Sequence, residues 1–326
     1  MPSSRRAANR KPGVAIVGSG SLASFLAPAL REAGYVISEI IARPGIESIR
    51  RARALARKVG AKAVTVENAA LDASVAWFCV PDREIRAAAE ALGGRLSLVR
   101  RKRETPRLEN RETSTPAGQT VDRRGRGTWG THPFGVRFAF HSSGALPSDK
   151  LELLRWAGVA IASVHPLMTF VTGSRPSLTG VPFALEGDPA ATKLARRIAH
   201  DLGAESFILP AARKGAYHAW ATMTSPLLVG YLVTLEEAAR EAGITRERAR
   251  RMSLPIILQT LSNYGLSGPE KSFSGPLIRG DAESVEKHLA LLRANPMTRA
   301  VYVALARVAL ARLPAKNRDE LRRLLD

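Results

Sequence analysis

The feature that most constrains the fold is a glycine-rich segment near the N-terminus. It reads Gly18-Ser19-Gly20-Ser21-Leu22-Ala23 and lies between an apolar run, residues 13–17, and a stretch with helically spaced apolar residues, 21–35. This order of strand, tight turn and helix is typical of the first βαβ unit of a Rossmann fold. We therefore predict that Gly18, Ser19, Gly20, Ser21, Leu22 and Ala23 bind a dinucleotide. The alternative is a glycine-rich turn that serves packing only.

The alternation of strand-like and helix-like patterns continues along the chain. Apolar runs and helical periodicities follow one another as far as residue 209, and only helical patterns follow Pro210. Strands are predicted over 36–42, 61–66, 75–80, 136–140, 159–164, 181–185 and 206–209, with helices over 46–59, 82–92, 149–156 and 189–202. This pattern predicts an α/β doubly wound Rossmann domain with a parallel sheet, followed by an all-α C-terminal domain.

The predicted domain organisation has three parts. Residues 1–12 form a basic, disordered tail, residues 13–209 the Rossmann-like domain, and residues 210–326 the helical domain. Within the Rossmann-like domain, residues 95–137 are basic and almost without periodic apolar residues, so we predict a disordered insertion there. This insertion is either a solvated loop without function or an arm that binds an acidic partner.

The net charge of +20 raises the question of nucleic-acid binding. Much of that charge lies in the tail and the insertion, where aromatic residues are almost absent and only Trp129 lies near a basic run to stack on bases. The charge is therefore weak evidence for a nucleic-acid partner. No apolar run is long enough to cross a membrane, and the single cysteine, Cys79, cannot form an intrachain disulfide. We expect a cytoplasmic protein without a membrane span or a metal site.

The residue after the second predicted strand indicates which dinucleotide binds. NAD-binding proteins commonly carry a carboxylate there, whereas this chain has Arg43. Arg43 can pair with a 2′-phosphate, with Arg50 or Arg51 approaching from the next helix, which favours NADP over NAD. The alternative is a solvated arginine. Val80, Pro81 and Asp82 follow the fourth strand, so we predict that they lie against the nicotinamide or its ribose.

Polar residues that follow the next strands are candidates for binding a substrate. The segment His141-Ser142-Ser143-Gly144 follows the fifth strand and His165 ends the sixth, so both should reach the edge where the cofactor binds. We predict that His141, Ser142, Ser143 and Gly144 bind substrate and that His165 takes part in catalysis. For each histidine alone, the alternative is an imidazole that only satisfies backbone partners.

Lys214 and His218 open the first helix after the predicted sheet. Their four-residue spacing places both on one helical face. A desolvated lysine, or one beside a cationic histidine, has a lowered pKa and can donate a proton near neutral pH. We therefore predict that Lys214 and His218 are catalytic, the alternative being two solvated side chains at a helix end.

Several motifs together carry a resemblance to known proteins. They are the Gly18–Gly20 turn, Val80-Pro81-Asp82, the segments 141–146 and 163–167, Lys214-x-x-Tyr217-His218 and Gly275-Pro276-x-x-Arg279-Gly280-Asp281. With them the chain resembles the superfamily of pyrroline-5-carboxylate reductase and 6-phosphogluconate dehydrogenase. More narrowly, it resembles a group of Rossmann-like NADP oxidoreductases with a C-terminal helical domain of unknown function.

The resemblance implies an NADP(H) cofactor and a homodimer formed through the helical domain. Relatives often carry a lysine proton donor followed four residues later by asparagine, a position that His218 takes here. His165-Pro166 is also similar to the His-Pro of prephenate dehydrogenases, in which the histidine contacts the substrate.

Two functions follow as hypotheses. The first is an NADP(H)-dependent oxidoreductase that transfers hydride to or from a small carbonyl or imine compound in the cleft between the two domains. The second is a non-catalytic NADP(H)-binding sensor or scaffold. The sequence contains no Gly-x-Ser-x-Gly, His-Glu-x-x-His or Cys-x-x-Cys motif, which argues against hydrolytic alternatives.

Overall fold

The computed structural model describes residues 11–104, 135–171, 174 and 176–326. Most of the predicted tail 1–12, and the central part of the predicted insertion 95–137, lie outside these residues. The chain divides into two compact units, Met1–Ala221 and Thr222–Asp326, called here the first and the second unit.

The first unit is built on an eight-stranded sheet. Its strands are β1 (Val14–Val17), β2 (Ile37–Ala42), β3 (Lys62–Thr65), β4 (Val75–Phe78), β5 (Phe138–His141), β6 (Ala160–Pro166), β7 (Pro182–Gly187) and β8 (Glu205–Ile208). The order across the sheet is β3-β2-β1-β4-β5-β6-β7-β8. The strands from β3 to β6 are parallel, with the order reversing at β1 as in a doubly wound fold. The predicted fold class is confirmed.

Helices cover the sheet on both faces. They are α1 (Ser21–Glu32), α2 (Ile46–Val59), α3 (Ile85–Glu104), α4 (Glu152–Trp156), α5 (Pro189–Asp201) and α6 (Lys214–Thr224). Alternate residues of β1 enter two separate cores, Val14 and Ile16 one of them, Ala15 and Val17 the other. All four are buried. A strand that is apolar on both faces needs helices on both sides, which explains why β1 is a continuous apolar run.

The last strands depart from the wholly parallel sheet that the sequence predicted. β7 is antiparallel to β6, with Val164 opposite Leu185. The connection between them contains no helix among its described residues, and a parallel pairing would need a crossover of a dozen or more residues, usually a helix. The chain then makes that crossover with α5, so that β8 is again parallel to β7.

The prediction of disorder from residue 95 is wrong for its first ten residues, because α3 continues to Glu104. Leu96 lies one turn after Leu92, and both are buried in the same core. Arginine, lysine, leucine and glutamate, which dominate this stretch, are also good helix formers. At the other end of the predicted insertion Val136 is fully buried, so the prediction of disorder is also wrong at this residue.

The second unit is all-helical among its described residues. Its helices are α7 (Pro226–Glu241), α8 (Arg246–Ser272), α9 (Pro276–Arg279), α10 (Ala282–Leu291), α11 (Pro296–Arg312) and α12 (Arg318–Leu325). Its core includes Val285, Leu310 and Leu321. In α8 the backbone of Gly268 is not helical, and Pro269 follows it, so the helix is broken near its end.

After Pro210 the chain forms α6 and α7, which are separated by a break at Ser225, directly before Pro226. The first compact unit extends to Ala221, beyond the boundary predicted at residue 209. Lys214 and His218 therefore belong to the unit that carries the sheet. No helix in the described part of the chain combines the length and apolarity that crossing a membrane requires.

Candidate functional site

The predicted site residues lie at the carboxyl ends of strands or in the first turn of α1, except for the two on α6. β1, β4, β5 and β6 are neighbours and parallel, so their carboxyl ends lie side by side. The turn after β1, the segment after β4, the segment after β5 and the end of β6 thus converge there. This edge, where the strand order reverses, is the position at which open α/β sheets bind their ligands.

The turn after β1 has two glycines with different surroundings. Gly18 has a φ of +107°, and a Cβ there would lie 2.5 Å from the carbonyl oxygen of Cys79. Only glycine fits so close to the end of β4. Gly20 has an ordinary φ of −80° and precedes α1 without a side-chain cap. A Cβ on Gly20 would meet nothing within 4 Å, so the space in front of the helix N-terminus is open.

Arg43 lies directly after β2, as predicted, and it is already paired. Its Nη1 is 3.0 Å from Oε1 of Glu84, in the short turn between β4 and α3. The arginine side chain is two-thirds exposed, so this ion pair is solvent-screened and exchangeable. Arg50 and Arg51 both interact with Glu47 on α2, at 2.8 and 4.0 Å.

Asp82 and Ser143 link the segments after β4 and β5. The Ser143 hydroxyl donates to Oδ2 of Asp82 at 2.7 Å and accepts from the backbone N–H groups of Ala145 and Leu146. The predicted cofactor-side residue Asp82 is therefore joined directly to the predicted substrate-side residue Ser143. This hydrogen bond fixes the separation of the two segments.

His141 ends β5 and is completely buried. Its Nδ1 lies 3.1 Å from the backbone N–H of Ser143, which can only donate, and its Nε2 lies 3.0 Å from the carbonyl oxygen of Pro147, which can only accept. The imidazole is therefore neutral with its proton on Nε2. Burial, opposed by the Pro147 hydrogen bond and aided by the charge of Lys214, lowers the pKa of His141 to about 4.

The other predicted substrate-binding side chain of this segment also has a protein partner. The Ser142 hydroxyl accepts a hydrogen bond from the indole Nε1 of Trp77 at 2.9 Å. Trp77 is fully buried in β4 and would otherwise carry an unsatisfied donor. Ser142 thus ties β4 to the segment after β5, in parallel with the Asp82–Ser143 bond.

Lys214, at the first position of α6, is one of the few buried charged residues, with 1% of its surface exposed. Its Nζ donates to the carbonyl oxygen of Ser143 at 3.0 Å and to the hydroxyl of Ser163 at 2.7 Å. The ammonium therefore spans the ends of β5 and β6. Ser163 in turn donates to the same Ser143 carbonyl at 3.1 Å.

The charge of Lys214 is balanced by two carboxylates rather than by a direct ion pair. Desolvation lowers the pKa of Lys214 to about 8, while the negative charges of Glu186 and Asp82 act in the opposite direction. Glu186, on β7, accepts from both the backbone N–H and the hydroxyl of Ser148. Near neutral pH the lysine is thus cationic but holds its proton weakly enough to exchange it.

His165 is on β6, and its partner is Tyr217 on α6. Nδ1 of His165 lies 2.8 Å from the Tyr217 hydroxyl, with the two rings edge to face at 87°. A Cβ on Gly144 would lie 2.9 Å from Nε2 of His165 and 2.8 Å from Cδ2 of His218. Gly144 therefore leaves room between two imidazoles that any other residue would fill. Burial, with the charges of Lys214 and His218, lowers the pKa of His165 to about 4.

The structure also brings in residues that the sequence analysis did not assign to the site. Ser163, Glu186 and Tyr217 contact or act on the predicted residues. Ser163 precedes His165 by two residues, so both point to one face of β6, and Tyr217 follows Lys214 by three, on the same side of α6. These two spacings are the sequence signals from which Ser163 and Tyr217 could have been assigned to the site. No group of three or more His, Cys, Asp or Glu side chains within the described ranges is placed to hold a metal ion.

Comparison with known proteins agrees with this architecture. The model of the family "NADP oxidoreductase coenzyme F420-dependent" matches residues 13–99, and that of "Domain of unknown function (DUF2520)" matches residues 181–309. No curated protein matches the chain.

Solved structures share the fold at low sequence identity. A protein of Bacteroides fragilis, provisionally named an NADP oxidoreductase, is 21% identical with a TM-score of 0.64, over 92% of this chain and 98% of that one. A protein of Thermotoga maritima is 23% identical with a TM-score of 0.62, over 96% and 98%. The pyrroline carboxylate reductase of Plasmodium falciparum, solved with NADP bound, is 12% identical with a TM-score of 0.53, over 97% and 99%.

These likenesses show that the chain has the fold of NADP oxidoreductase-like proteins. The predicted resemblance to Rossmann-like NADP oxidoreductases with a C-terminal domain of unknown function is confirmed. The chain is therefore similar to the family described as NADP oxidoreductase, coenzyme F420-dependent, over residues 13–99, and to the family described as Domain of unknown function (DUF2520) over residues 181–309.

Proposed function

We propose that this protein is an NADP(H)-dependent oxidoreductase that transfers hydride to or from a small carbonyl or imine compound. One observation carries the proposal: the open turn at Gly20 lies at the same sheet edge as the buried Lys214 and the half-buried His165, two titratable groups with lowered pKa values. Perturbed titratable groups beside a nucleotide-binding turn are typical of catalytic sites.

The described residues fit a dinucleotide at this edge. α1 begins at Ser21 with no capping side chain and no acidic residue in its first turn, so its N-terminal N–H groups are available to a pyrophosphate. The open space at Gly20 would let the phosphates approach the backbone. Arg43 supplies a cation for a 2′-phosphate, which would displace Glu84 from the existing ion pair. We therefore propose NADP(H) rather than NAD(H).

When bound, the nicotinamide supplies or accepts the hydride, and the protein must hold the substrate and move one proton. Lys214 is the proposed proton donor. Two of its three donors are directed to Ser143 and Ser163, which hold the ammonium in place and leave one proton for transfer. A pKa of about 8 suits this role, because the donor is charged at neutral pH yet gives up its proton at little cost.

The partners we propose are a small-molecule substrate and a second copy of the chain. In the second unit, residues 252–266 of α8 contain no charged residue. Seven large apolar side chains in that stretch are more than half exposed, namely Met252, Leu254, Ile256, Leu258, Leu261, Tyr264 and Leu266. An exposed apolar surface of this extent is typical of a subunit interface. It supports a homodimer formed through the helical unit.

The primary test combines NADPH binding with a screen of NADPH oxidation by 2-oxo acids, ketones and cyclic imines. We expect oxidation with at least one class, and we expect Lys214→Met to reduce turnover by about 100-fold while NADPH affinity stays unchanged. The control is Lys193→Met, which removes an exposed lysine from α5. Near-normal turnover in Lys214→Met would contradict the assignment of the proton donor.

A non-catalytic NADP(H) sensor is the second candidate. The observation that favours it is that both identified hydrogen bonds of Lys214 hold strands β5 and β6, as a purely structural residue would. Three results together would support the sensor over the enzyme: NADPH binds, no substrate class causes NADPH oxidation, and Lys214→Met destabilises the fold.

A further inference from the structure

The hydrogen bond between His165 and Tyr217 has one favoured direction, which follows from the chemistry of the two groups. Burial raises the pKa of Tyr217 to about 12, so the phenol keeps its proton, and His165 is neutral at physiological pH. A neutral imidazole carries one N–H and one bare nitrogen. A phenol donates more readily than it accepts, and a bare ring nitrogen is a good acceptor, so the Tyr217 O–H donates to Nδ1 across the 2.8 Å separation.

The proton of His165 is then on Nε2. That nitrogen is the one beside Gly144, in the room that a side chain at position 144 would fill. Tyr217 is nine-tenths buried and packed edge to face against the imidazole, so the ring cannot turn to exchange its two nitrogens without losing both contacts. The site therefore presents a fixed, neutral N–H donor at the substrate edge of the sheet.

The charges around this donor disfavour a cationic substrate. Lys214 places an ammonium beside it, and the two carboxylates that act on Lys214 already accept hydrogen bonds, Asp82 from Ser143 and Glu186 from Ser148. A protonated imine would place its own N–H against the Nε2–H of His165 and its positive charge near the ammonium of Lys214, and both arrangements are unfavourable. A carbonyl oxygen would instead accept from Nε2, and a carboxylate on the same substrate would be attracted to Lys214.

We propose that Tyr217 is a positioning residue that fixes His165 as an Nε2–H donor, and that this donor selects a carbonyl compound, neutral or anionic, over a protonated imine. The inference rests on the proposed function in one respect: it takes the carbonyl group that binds His165 to be the group that is reduced. The state of the imidazole itself does not depend on turnover, so the two can fail separately.

The first experiment measures the tautomer directly in the full-length protein. Histidine labelled with 15N gives side-chain chemical shifts that distinguish Nδ1–H from Nε2–H, and we expect His165 to be the Nε2–H form at pH 7. Tyr217→Phe removes only the hydroxyl and should leave a mixture of the two forms. The matched control is Tyr302→Phe, because Tyr302 makes the same kind of contact with Nδ1 of His288, at 3.2 Å, in the second unit.

The second experiment measures selectivity with ligands of matched ring size. Cyclohexanone and the cyclic imine Δ1-piperideine, which is protonated near neutral pH, are titrated into the protein with NADPH present, and 2-oxopentanoate serves as the anionic carbonyl. We expect both carbonyl compounds to bind at least about tenfold more tightly than the imine, and this margin to shrink in Tyr217→Phe but not in Tyr302→Phe. An Nδ1–H tautomer in the unmodified protein, or tighter binding of the imine, would overturn the inference. Absence of hydride transfer to any ligand, with the tautomer and the selectivity as expected, would count against the proposed function alone.

Discussion

At the scale of single residues, the two glycines of the turn after β1 are required for different reasons. Gly18 meets a steric limit, with a positive φ and the Cys79 carbonyl 2.5 Å from where its Cβ would lie. Gly20 meets none, since its φ is ordinary and its surroundings are open. Substitution of Gly18 should therefore reduce the stability of the fold, whereas substitution of Gly20 should reduce cofactor binding.

We expect Gly18→Ala to lower the free energy of unfolding by on the order of 2–4 kcal/mol, because the backbone of two strands must move apart. Gly20→Ala should change that free energy by less than about 1 kcal/mol but weaken NADPH binding at least about tenfold, since its methyl group occupies the space proposed for the phosphates. Denaturant unfolding and calorimetric titration measure the two quantities. Equal losses of stability in the two variants would be the contrary result.

The buried histidine at the end of β5 predicts an acid-dependent loss of stability. The pKa of His141 is lowered from 6.5 to about 4, so between these values the unfolded chain binds a proton that the folded protein does not. Stability must therefore fall as the pH decreases through this window, by on the order of 3 kcal/mol for this group when complete.

His141→Gln removes the titrating group while leaving an amide able to donate to the Pro147 carbonyl. Its free energy of unfolding should vary less between pH 6.5 and 4 than that of the unmodified protein. His200→Gln is the control, because His200 is largely exposed on α5. The same pH dependence in all three proteins would show that His141 does not titrate as inferred.

At the scale of elements, the end of β2 and the turn before α3 act together through Arg43 and Glu84. Arg43→Asp should remove a charge-assisted contact with the 2′-phosphate worth about 1.5–3 kcal/mol, and so reduce the preference for NADPH over NADH by about tenfold or more. Glu84→Gln should have the opposite effect, because it frees the arginine. Arg196→Asp on α5 is the control, and affinities for both cofactors are the measurement. A preference unchanged by Arg43→Asp would exclude this residue from the phosphate site.

The same elements show what the sequence could and could not predict. The βαβ unit around Gly18 is encoded locally, by apolar runs and one glycine spacing, and its strands and helices lie within a few residues of their predicted bounds. The start of α3 was predicted, but its continuation to Glu104 was missed. Residues 100–103 are charged, and a run of charged helix formers has the same composition as a solvated segment.

The site shows the same division at the level of side chains. That residues after β4, β5 and β6 share one edge follows from a parallel sheet, so their convergence was predictable. Which of them touch was not: the Lys214–Ser163 and His165–Tyr217 pairs join α6 to β6 across some fifty residues of chain, and no local pattern encodes a contact of that kind. The antiparallel β7 was missed for a related reason, because strand direction depends on the connection rather than on the strand's own residues.

At the scale of the whole molecule, the uncharged stretch 252–266 of α8 is the feature that a single chain leaves unexplained. Leu258, in its middle, is more than half exposed and surrounded by other exposed apolar side chains of the same helix. Burying such a side chain against a second copy stabilises an interface by on the order of 1.5–3 kcal/mol, and a buried charge at the same place would oppose association by more.

We therefore expect Leu258→Glu to convert the proposed homodimer into a monomer, or to raise its dissociation constant at least about 100-fold. Leu291→Glu makes the same substitution at a leucine that is also more than half exposed but lies at the end of α10, so it should leave the dimer intact. Sedimentation velocity over a range of protein concentrations measures the association, and circular dichroism confirms that each variant is folded. A monomer in the unmodified protein, or a dimer that Leu258→Glu leaves as tight as before, would show that this surface of α8 is not where two copies meet.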